Sequence, residues 1–398
     1  MSSEVLSRAR ALKDRMIRVR RHLHRHPELS FKERETGRFL AKELRALGLK
    51  VQHPFSGTGV LATLEGGNTG GAGGLVALRA DMDALPLQEE TGLPFASRNP
   101  GVMHACGHDA HMAGLLGAAQ LLYERRRELR GGVRFLFQPA EETIPGGAKG
   151  MIASGALAGV SVIFGLHVDP VLPTGTIGTK AGVLMAQADD FDLTIIGKGG
   201  HAARPHTSVD AIVVSSLVIQ ALQTIVSRRI NPVTPAVVTV GRISGGTKHN
   251  IIADRVLMQG TCRSLDAGTA KKLKASVAQI ARDIARASGA SCLFKYTTGY
   301  PPLINPERET RFAREALGNL LGKKNVLSLP EPLMGGEDFT YYLKRVPGTF
   351  LRLGIRNAKL GSTFPWHHSQ FLVDEEAIPI GAAALAHLAL EYLKTRSK

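Results

Sequence analysis

Short apolar segments that alternate with helical segments constrain the fold of this chain most strongly. Residues 75–78, 133–137 and 160–166 are apolar runs of strand length. Between the first two lie residues 110–123, whose Ala and Leu content is typical of a buried helix. This alternation predicts an α/β fold in which helices cover a sheet. The glycine-rich residues 66–74 predict a loop or a hairpin turn.

A block with a different order of elements interrupts this pattern near residue 187. The block begins with a strand at Phe191, and its later segments predict a helix at 209–229, strands at 236–243 and 255–263, a helix at 268–288 and a strand at 292–297. This order is that of a small ferredoxin-like α+β sandwich. Since 398 residues exceed one ordinary compact core, two domains are expected. We place them at residues 1–186 with 300–398, and at 187–299.

The net charge is strongly basic and is concentrated near the start of the chain. The formal charge is +16 at pH 7, and residues 1–50 contain 14 Lys/Arg against 6 Asp/Glu. Most of these side chains lie on two predicted helices, at 4–26 and 33–47, so a solvated helix surface accounts for them. Zinc-finger, helix-turn-helix and aromatic–basic RNA motifs are absent, which argues against a nucleic-acid partner. Attraction of substrates that carry a carboxylate stays open.

Composition and cysteine usage favour a globular protein of the cytoplasm. Apolar residues make up 43% of the chain, enough for a sizeable core. The first ten residues are polar and charged and no transmembrane run follows, so we expect neither a signal peptide nor a membrane partner. The three cysteines, Cys106, Cys262 and Cys292, are too few for a disulfide framework. A cysteine with a function would then be a metal ligand or a nucleophile.

Residues 104–111 hold the densest group of metal donors in the chain. His104, Cys106, His108 and His111 fall within eight residues, together with Asp109. Imidazole and thiolate are preferred ligands of zinc and its neighbours. This density predicts a metal site at the start of the helix that follows.

Further donors come directly after the predicted strands. Asp81 and Asp83 follow the first strand, Glu141 and Glu142 the second, and His167 the third. Ligands of open α/β sheets gather at the carboxyl ends of the strands. Of two adjacent glutamates, one can bind a metal while the other stays free as a general base.

Other candidates lie near the C-terminus and inside the second block. His367 and His368 are adjacent, and His201 belongs to a glycine-rich turn. Asn250 and Arg263 lie in or beside the later strands of the block. Arginine is the natural bidentate partner of a substrate carboxylate. Taken singly, each of these residues is equally typical of loop or surface polarity.

These motifs together resemble the amidohydrolase branch of the aminoacylase-type metallopeptidases, a branch with hippurate hydrolases, N-acyl-amino-acid deacylases, indole-acetyl-amino-acid hydrolases and some carboxypeptidases. The likeness extends from residues 21–30 to residues 367–375 and covers nearly the whole chain. It implies an α/β, mixed-sheet di-metal hydrolase domain with an inserted ferredoxin-like lid domain that often forms a homodimer. A cysteine donor favours zinc as the pair of divalent metals, while manganese, cobalt and nickel stay open.

The resemblance also implies a ligand set and a base. The implied metal ligands are Cys106, His108, Glu142, His167 and His367, and Glu141 is the implied general base. The terminal ligand of the family lies four residues before a phenylalanine. In this chain that phenylalanine is Phe371, which selects His367 over His368.

The resemblance implies supporting roles for four more residues and excludes Asp81 as a ligand. Asp81 stands where the wider superfamily has a histidine ligand, so we do not expect it to bind metal. Asp83 is expected to hold a ligand or the base in place. His201 is implied to stabilise the oxyanion, and Asn250 and Arg263 are implied to hold the substrate carboxylate.

The activity that the resemblance implies is hydrolysis of the amide bond of N-acyl-L-amino acids, such as hippurate, by a metal-activated water. A metallo-carboxypeptidase or dipeptidase that uses the same site is the alternative, because both substrates present an amide beside a carboxylate. A basic nucleic-acid binder with a structural zinc fits less well. A structural zinc is closed by four ligands in local pairs, whereas the donors here come from five scattered segments.

Overall fold

The computed structural model describes residues 2–67 and 74–395, which form two compact units. The first unit contains Met1–Gly182, Ile304–Glu331 and Asp338–Lys398, and the second contains Val183–Leu303 and Pro332–Glu337. Most of the glycine-rich turn predicted at 66–74 lies outside the described residues.

The α-helices and β-strands are numbered here in chain order. The helices are α1 (Ser2–Ala11), α2 (Lys13–Arg25), α3 (Arg34–Ala46), α4 (His108–Glu124), α5 (Ala148–Ala153), α6 (Ala211–Thr224), α7 (Ala267–Ala287), α8 (Glu307–Leu321), α9 (Thr340–Leu343) and α10 (Ala377–Thr395). The strands are β1 (Lys50–Phe55), β2 (Gly59–Glu65), β3 (Leu75–Asp81), β4 (Gly132–Gln138), β5 (Val160–Pro173), β6 (Ile177–Thr179), β7 (Gly182–Met185), β8 (Gln187–Ile196), β9 (Gly200–His201), β10 (Ala236–Gly245), β11 (Ile251–Ile252), β12 (Arg255–Ser264), β13 (Ser291–Tyr300), β14 (Leu303–Asn305), β15 (Val326–Ser328) and β16 (Gly348–Arg356).

The first unit is built on a mixed eight-stranded sheet with the order β1-β2-β4-β3-β5-β16-β6-β15. Strands β4, β3, β5 and β16 run parallel to their neighbours in that series. Strands β1 and β2 add an antiparallel hairpin at one side. The carboxyl ends of β3, β4 and β5 therefore lie at one edge of the sheet, and the prediction of an α/β fold with a mixed sheet is confirmed.

Helices α4 and α10 pack against each other and against the central strands. Both helices are rich in alanine and leucine and are buried along almost their whole length. A helix that is apolar all round is stable only inside a core. Leu385 on α10 and Leu115 on α4 illustrate this position, since both are at most 1% exposed. Truncation of such a leucine to alanine costs about 2–5 kcal/mol.

The second unit contains a four-stranded antiparallel sheet with the order β10-β12-β8-β13. Its elements follow each other as β8-α6-β10-β12-α7-β13, the order expected for a ferredoxin-like sandwich. Phe191 and Leu193 of β8 pack with Val218 of α6 and Val277 of α7 in one core. The segment Pro332–Glu337 also belongs to this unit, because Leu333 exchanges backbone hydrogen bonds with residues 184 and 186. The sequence carried no local sign of that pairing.

Two element boundaries differ from the predictions. The helix predicted at 4–26 is two helices that meet at Leu12, whose φ of −91° and ψ of 0° bend the chain while its amide still bonds Arg8. Strand β5 continues to Pro173 rather than ending near 166, because β16 pairs with it as far as that residue. The second difference depends on pairing with a strand that is distant in sequence.

One described helix, Ala211–Arg229, is long and apolar enough to cross a membrane by length and composition alone. The core helix of a globular domain passes the same test. Here Val214, Val218 and Leu222 are buried in the core of the second unit. Packing inside that unit accounts for part of its apolar character.

Candidate metal centre

The ends of three parallel strands bring most of the predicted donors to one edge of the main sheet. Asp81 is the last residue of β3 and pairs in register with Gln138, the last residue of β4. Glu141 and Glu142 follow three and four residues later, and His167 lies in the middle of β5. The strand-end argument from the sequence therefore holds for β3 and β4, whereas β5 continues for six residues beyond His167.

Cys106 and His108 reach the same edge from the start of α4, with Gly107 between them. Gly107 is the N-cap of α4 and has a φ of +88°, a conformation that favours glycine. A Cβ at this position would also lie 2.4 Å from Cγ2 of Val168 on β5. The glycine thus allows two donors that flank it to approach β5 closely.

The five predicted metal ligands lie together in overlapping groups. The donor atoms of Cys106, Glu142 and His367 lie within 4.8 Å of one another, and so do those of His108, Glu141 and Glu142. Cys106 Sγ is 3.3 Å from His167 Nε2, which connects the remaining ligand. His367 Nε2 is 3.4 Å from Glu142 Oε1. Glu142 is common to both of these groups.

His368, the alternative terminal ligand, lies apart from these groups. Its ring stacks on Phe364 at 4.6 Å between centroids, and its Nδ1 accepts a hydrogen bond from the Gln370 amide at 3.1 Å. His367 instead has a φ of +63° and donates its amide to Ala105 beside Cys106. This geometry supports the choice of His367, which stays a prediction.

Several donor atoms of the cluster are arranged as a bound cation would require. Among the described residues, His108 Nε2 and Glu142 Oε1 are buried without a hydrogen-bond partner. A buried polar atom left unpaired costs about 1–3 kcal/mol. The Nδ1–H of His167 donates to the Val168 carbonyl at 2.8 Å, which leaves Nε2 with its lone pair toward Cys106. The residues present therefore fit a divalent metal centre.

The pKa shifts within the cluster also fit a bound cation. Burial opposes a charged His108, but the neighbouring carboxylates, led by Asp81, outweigh it and raise the pKa of His108 to about 10. Burial, with Glu142 and Glu141 nearby, raises the pKa of the Cys106 thiol well above its usual value. Burial lowers the pKa of His167 well below its ordinary value, with a contribution from His111. The cluster has a surplus of negative charge that a cation would neutralise, and a cation would favour the thiolate.

Asp81 and His111 are hydrogen-bonded to each other next to His108 and His167. His111 Nδ1 lies 2.6 Å from Asp81 Oδ1, and His111 Nε2 accepts the Val168 amide at 2.9 Å. Both ring nitrogens of His111 are therefore engaged. Asp81 Oδ2 also accepts from Arg79 at 2.8 Å, so its carboxylate is bound by protein groups. A donor atom of Asp81 nevertheless lies within 4.8 Å of those of His108, His111 and His167, and its exclusion as a ligand stays a prediction.

Asp83 fixes the loop that carries Glu141 and Glu142. Its Oδ1 accepts the Glu141 amide at 3.0 Å and its Oδ2 accepts the Glu142 amide at 2.9 Å. Ser30 Oγ donates to the same Oδ2 at 2.7 Å, and His108 Nδ1 lies 3.3 Å from Oδ1. One carboxylate thus contacts the backbone of the predicted base and the side chain of a predicted ligand. Ser30 was not singled out by the sequence analysis.

A buried ionic group anchors the first turn of α4, and the sequence analysis also missed it. Asp109 is fully buried beside His108 and accepts from Arg20 Nε at 2.7 Å. His24 Nδ1 lies 2.8 Å from the same carboxylate, and His24 Nε2 lies 3.1 Å from Glu89. The spacing of Arg20 and His24, one helical turn apart on α2, was the available signal.

The three predicted residues of the inserted block lie in the second unit. His201 pairs with Ile251 between the short strands β9 and β11, and its exposed ring accepts the Ala203 amide at Nδ1. Asn250 directly precedes β11 and accepts the Ala202 amide through its carbonyl. Arg263 lies on β12, where its Nη1 donates to the carbonyl of Cys262 at 3.1 Å. Their roles toward a substrate stay predictions.

Residues 77–391 match the model of peptidase family M20/M25/M40. The chain belongs to this family. The resemblance to aminoacylase-type metallopeptidases is therefore confirmed, and this M20 family member is a hydrolase.

Its relatives include enzymes of two named activities. The N-acetyl-L-cysteine deacetylase of Bacillus subtilis (strain 168) is 44% identical over 367 residues, 92% of this chain and 85% of the relative. Thermostable carboxypeptidase 1 of Saccharolobus solfataricus is 42% identical, with 96% of each chain covered. The structure of the Bacillus subtilis YXEP protein, a dinuclear metal-binding peptidase, has 39% identity and a TM-score of 0.81 over 97% of this chain and 99% of that one.

Proposed function

We propose that this M20 family member hydrolyses the amide bond of N-acyl-L-amino acids with two divalent metals and Glu141 as the general base. The observation that carries the proposal is the overlap of the donor groups around Glu142 with Glu141 beside them. Cys106, His108, Glu142, His167 and His367 would hold the metals, and zinc suits this donor set best. When bound, two metals polarise the substrate carbonyl and lower the pKa of water at the site.

The protein groups divide the proton transfers and the positioning between them. Glu141 is 6% exposed, and its carboxylate takes a proton from the attacking water and returns it to the leaving nitrogen. Asp83 keeps the backbone of Glu141 in place during both transfers. A base fixed in this way contributes a rate factor of about 10²–10⁴.

The second unit supplies the substrate contacts in this proposal and acts as a lid. Arg263 and Asn250 bind the carboxylate of the amino-acid half, since a planar guanidinium matches a carboxylate in geometry and charge. His201 stabilises the developing oxyanion, an effect worth about 3–4 kcal/mol per donor in hydrolases. Arg263 is anchored through Nη1 to its own strand, which limits the entropy lost when it binds a carboxylate.

The second unit also carries the surface proposed for a homodimer. Ile212, Val213 and Leu217 on α6 are 46%, 54% and 44% exposed, and β10 is an edge strand of its sheet. Exposed apolar groups beside an open edge are typical of a protein interface. All three cysteines are free, which supports a reducing compartment such as the cytoplasm. We propose neither a nucleic-acid nor a membrane partner.

A substrate panel tests the proposal directly. The metal-free protein is reconstituted with zinc, manganese or cobalt and assayed on N-acetyl-amino acids, hippurate and dipeptides. At least one N-acyl-amino acid should be hydrolysed, and a chelator should abolish the activity. The same substrate with its carboxylate converted to an amide should show a raised KM. Inactivity on every substrate with every metal contradicts the proposal.

A carboxypeptidase is the second candidate, because the relative from Saccharolobus solfataricus is 42% identical over nearly the full length. A dipeptide presents the same amide next to a carboxylate, so the site chemistry is shared. The ratio of kcat/KM for N-acyl-amino acids to that for peptides in the same panel distinguishes the two.

A further inference from the structure

We infer that Glu33 is a positioning residue that holds the backbone before Glu141 in the conformation that the reaction needs. The inference rests on the proposed function, because it concerns the loop with the general base and a metal ligand. Glu33 lies 107 positions before its contact on that loop. Its sequence context does not distinguish it from a surface glutamate.

Glu33 is buried, and its side chain does not cap the helix at whose start it lies. It occupies the N-cap of α3, yet its side chain makes no capping hydrogen bond. The residue is 0% exposed. Its Oε1 accepts the amide of Ala140 at 2.8 Å, and its Oε2 accepts Thr58 Oγ1 at 2.6 Å. Burial of a carboxylate is costly, so a group that served packing alone would be better replaced by an apolar side chain.

Ala140 has a backbone conformation that alanine rarely adopts. Its φ is +54°, in the left-handed region where a Cβ is disfavoured. The carbonyl of Ala140 accepts the amide of Gly147 at 3.0 Å, and its amide is bound by Glu33. A disfavoured conformation persists only where its surroundings hold it. The hydrogen bond that Glu33 accepts from the Ala140 amide is one of the two contacts that hold this conformation.

Three consecutive amides of the loop are thereby bound by two buried carboxylates. Glu33 accepts from Ala140, and Asp83 accepts from Glu141 and Glu142. If Ala140 relaxed to a negative φ, the peptide that precedes Glu141 would rotate. The carboxylates of the predicted base and the predicted ligand would then move relative to Cys106 and His108. Glu33 therefore acts on the site through Ala140 and does not touch the reacting atoms.

The experiment compares Glu33→Met with Glu33→Gln. Methionine removes both acceptor oxygens at similar length, whereas glutamine keeps an oxygen for the Ala140 amide and places an NH₂ beside Thr58 Oγ1, which can accept. Glu33→Met should lower kcat about 10- to 100-fold with little change in KM. Glu33→Gln should stay within a few-fold of the native enzyme.

A second readout needs no catalysis. Titration of zinc chloride into the metal-free protein, followed by calorimetry, should show at least one site about tenfold weaker in Glu33→Met, because Glu142 is displaced. Glu33→Gln should retain the native affinity. If Glu33→Met does not fold, Glu33→Asp replaces it, since a shorter carboxylate cannot reach both Ala140 and Thr58.

A second-site change tests the proposed route through Ala140. Glycine adopts positive φ without the penalty of a Cβ. Ala140→Gly introduced into Glu33→Met should therefore recover about fivefold of the lost kcat. A role of Glu33 that did not pass through the φ of Ala140 would give no recovery.

Glu28→Met is the matched control from the same segment. The Glu28 carboxylate accepts the amides of Thr36 at 2.9 Å and Glu35 at 3.3 Å, at the start of α3. Its removal should lower the melting temperature, because the start of α3 loses its cap. The values of kcat and zinc affinity should stay within about threefold of native. Equal losses of kcat in Glu28→Met and Glu33→Met, with native zinc affinity in both, would overturn the inference. Should the native enzyme be inactive on the whole panel, the proposed function fails, and the zinc titration still decides the role of Glu33.

Discussion

Asp83→Asn should disable the loop that carries Glu141 and Glu142 without changing the size of the side chain. The carboxylate of Asp83 accepts two backbone amides, at 3.0 and 2.9 Å, and the Ser30 hydroxyl at 2.7 Å. Asparagine has one oxygen and one NH₂. The Ser30 hydroxyl can rotate to accept a hydrogen bond, but a backbone amide cannot. Whichever way the new side chain is oriented, the amide of Glu141 or of Glu142 faces a donor.

The size of the effect follows from that mismatch. Hydrogen bonds to a charged group contribute about 1.5–3 kcal/mol, and a buried donor left unpaired costs about 1–3 kcal/mol. Asp83 is 1% exposed, so water cannot easily take over the lost contact. We expect a net loss of about 2–3 kcal/mol, which corresponds to roughly 30- to 160-fold in kcat if it acts on the loop. The melting temperature should fall by roughly 4–6 °C.

Steady-state kinetics and differential scanning calorimetry on Asp83→Asn and Ser30→Ala check this reasoning. Ser30→Ala removes one donor to Asp83 and leaves both amide contacts, so its kcat should stay within about tenfold of native. An Asp83→Asn enzyme with kcat within twofold of native and an unchanged melting temperature would refute the argument that Asp83 holds the loop.

Two further predictions concern the second unit. Asp266 caps α7 by accepting the Thr269 amide at 2.8 Å, and that contact lowers its pKa from 3.8. Its stabilisation is thus present above pH 3.8 and is lost as pH falls through the lowered pKa. Asp266→Ala should lower the free energy of unfolding of this unit by about 1 kcal/mol at neutral pH. In denaturant unfolding, the difference between native and variant free energies should shrink in acid. A difference that stays constant with pH would contradict a charged Asp266 cap as its cause. Leu217→Lys should convert the proposed dimer to a monomer in sedimentation velocity. Val233→Lys is the control, because Val233 is 84% exposed. A dimer that persists in Leu217→Lys would place the interface elsewhere.

The sequence predicted the parts of this structure that depend on local pattern. Apolar runs at 133–137 and 160–166 mark β4 and β5 because buried parallel strands are apolar on both faces. The position of Glu141 and Glu142 directly after β4 follows from the same pattern. The density of donors around Cys106 indicated a metal site before any fold was known.

The residues that the sequence did not reveal act across long separations. Glu33 reaches Ala140, and Ser30 reaches Asp83, through the register of the sheet and the path of the loops. Neither contact has a local signature. The positive φ of Ala140 is also invisible in the sequence, since alanine gives none of the signal that glycine would. Supporting residues of a site are therefore harder to predict than its ligands.

The central claim is that two adjacent glutamates have different duties, Glu141 as the base and Glu142 as a metal ligand. The direct test is the metal content of Glu141→Gln and Glu142→Gln by inductively coupled plasma mass spectrometry, alongside turnover of an N-acyl-amino acid. Glu141→Gln should keep two metal ions per chain and lose about 10²–10⁴-fold in kcat, while Glu142→Gln should lose metal together with activity. Near-native turnover in Glu141→Gln, or native metal content and turnover in Glu142→Gln, would contradict the account.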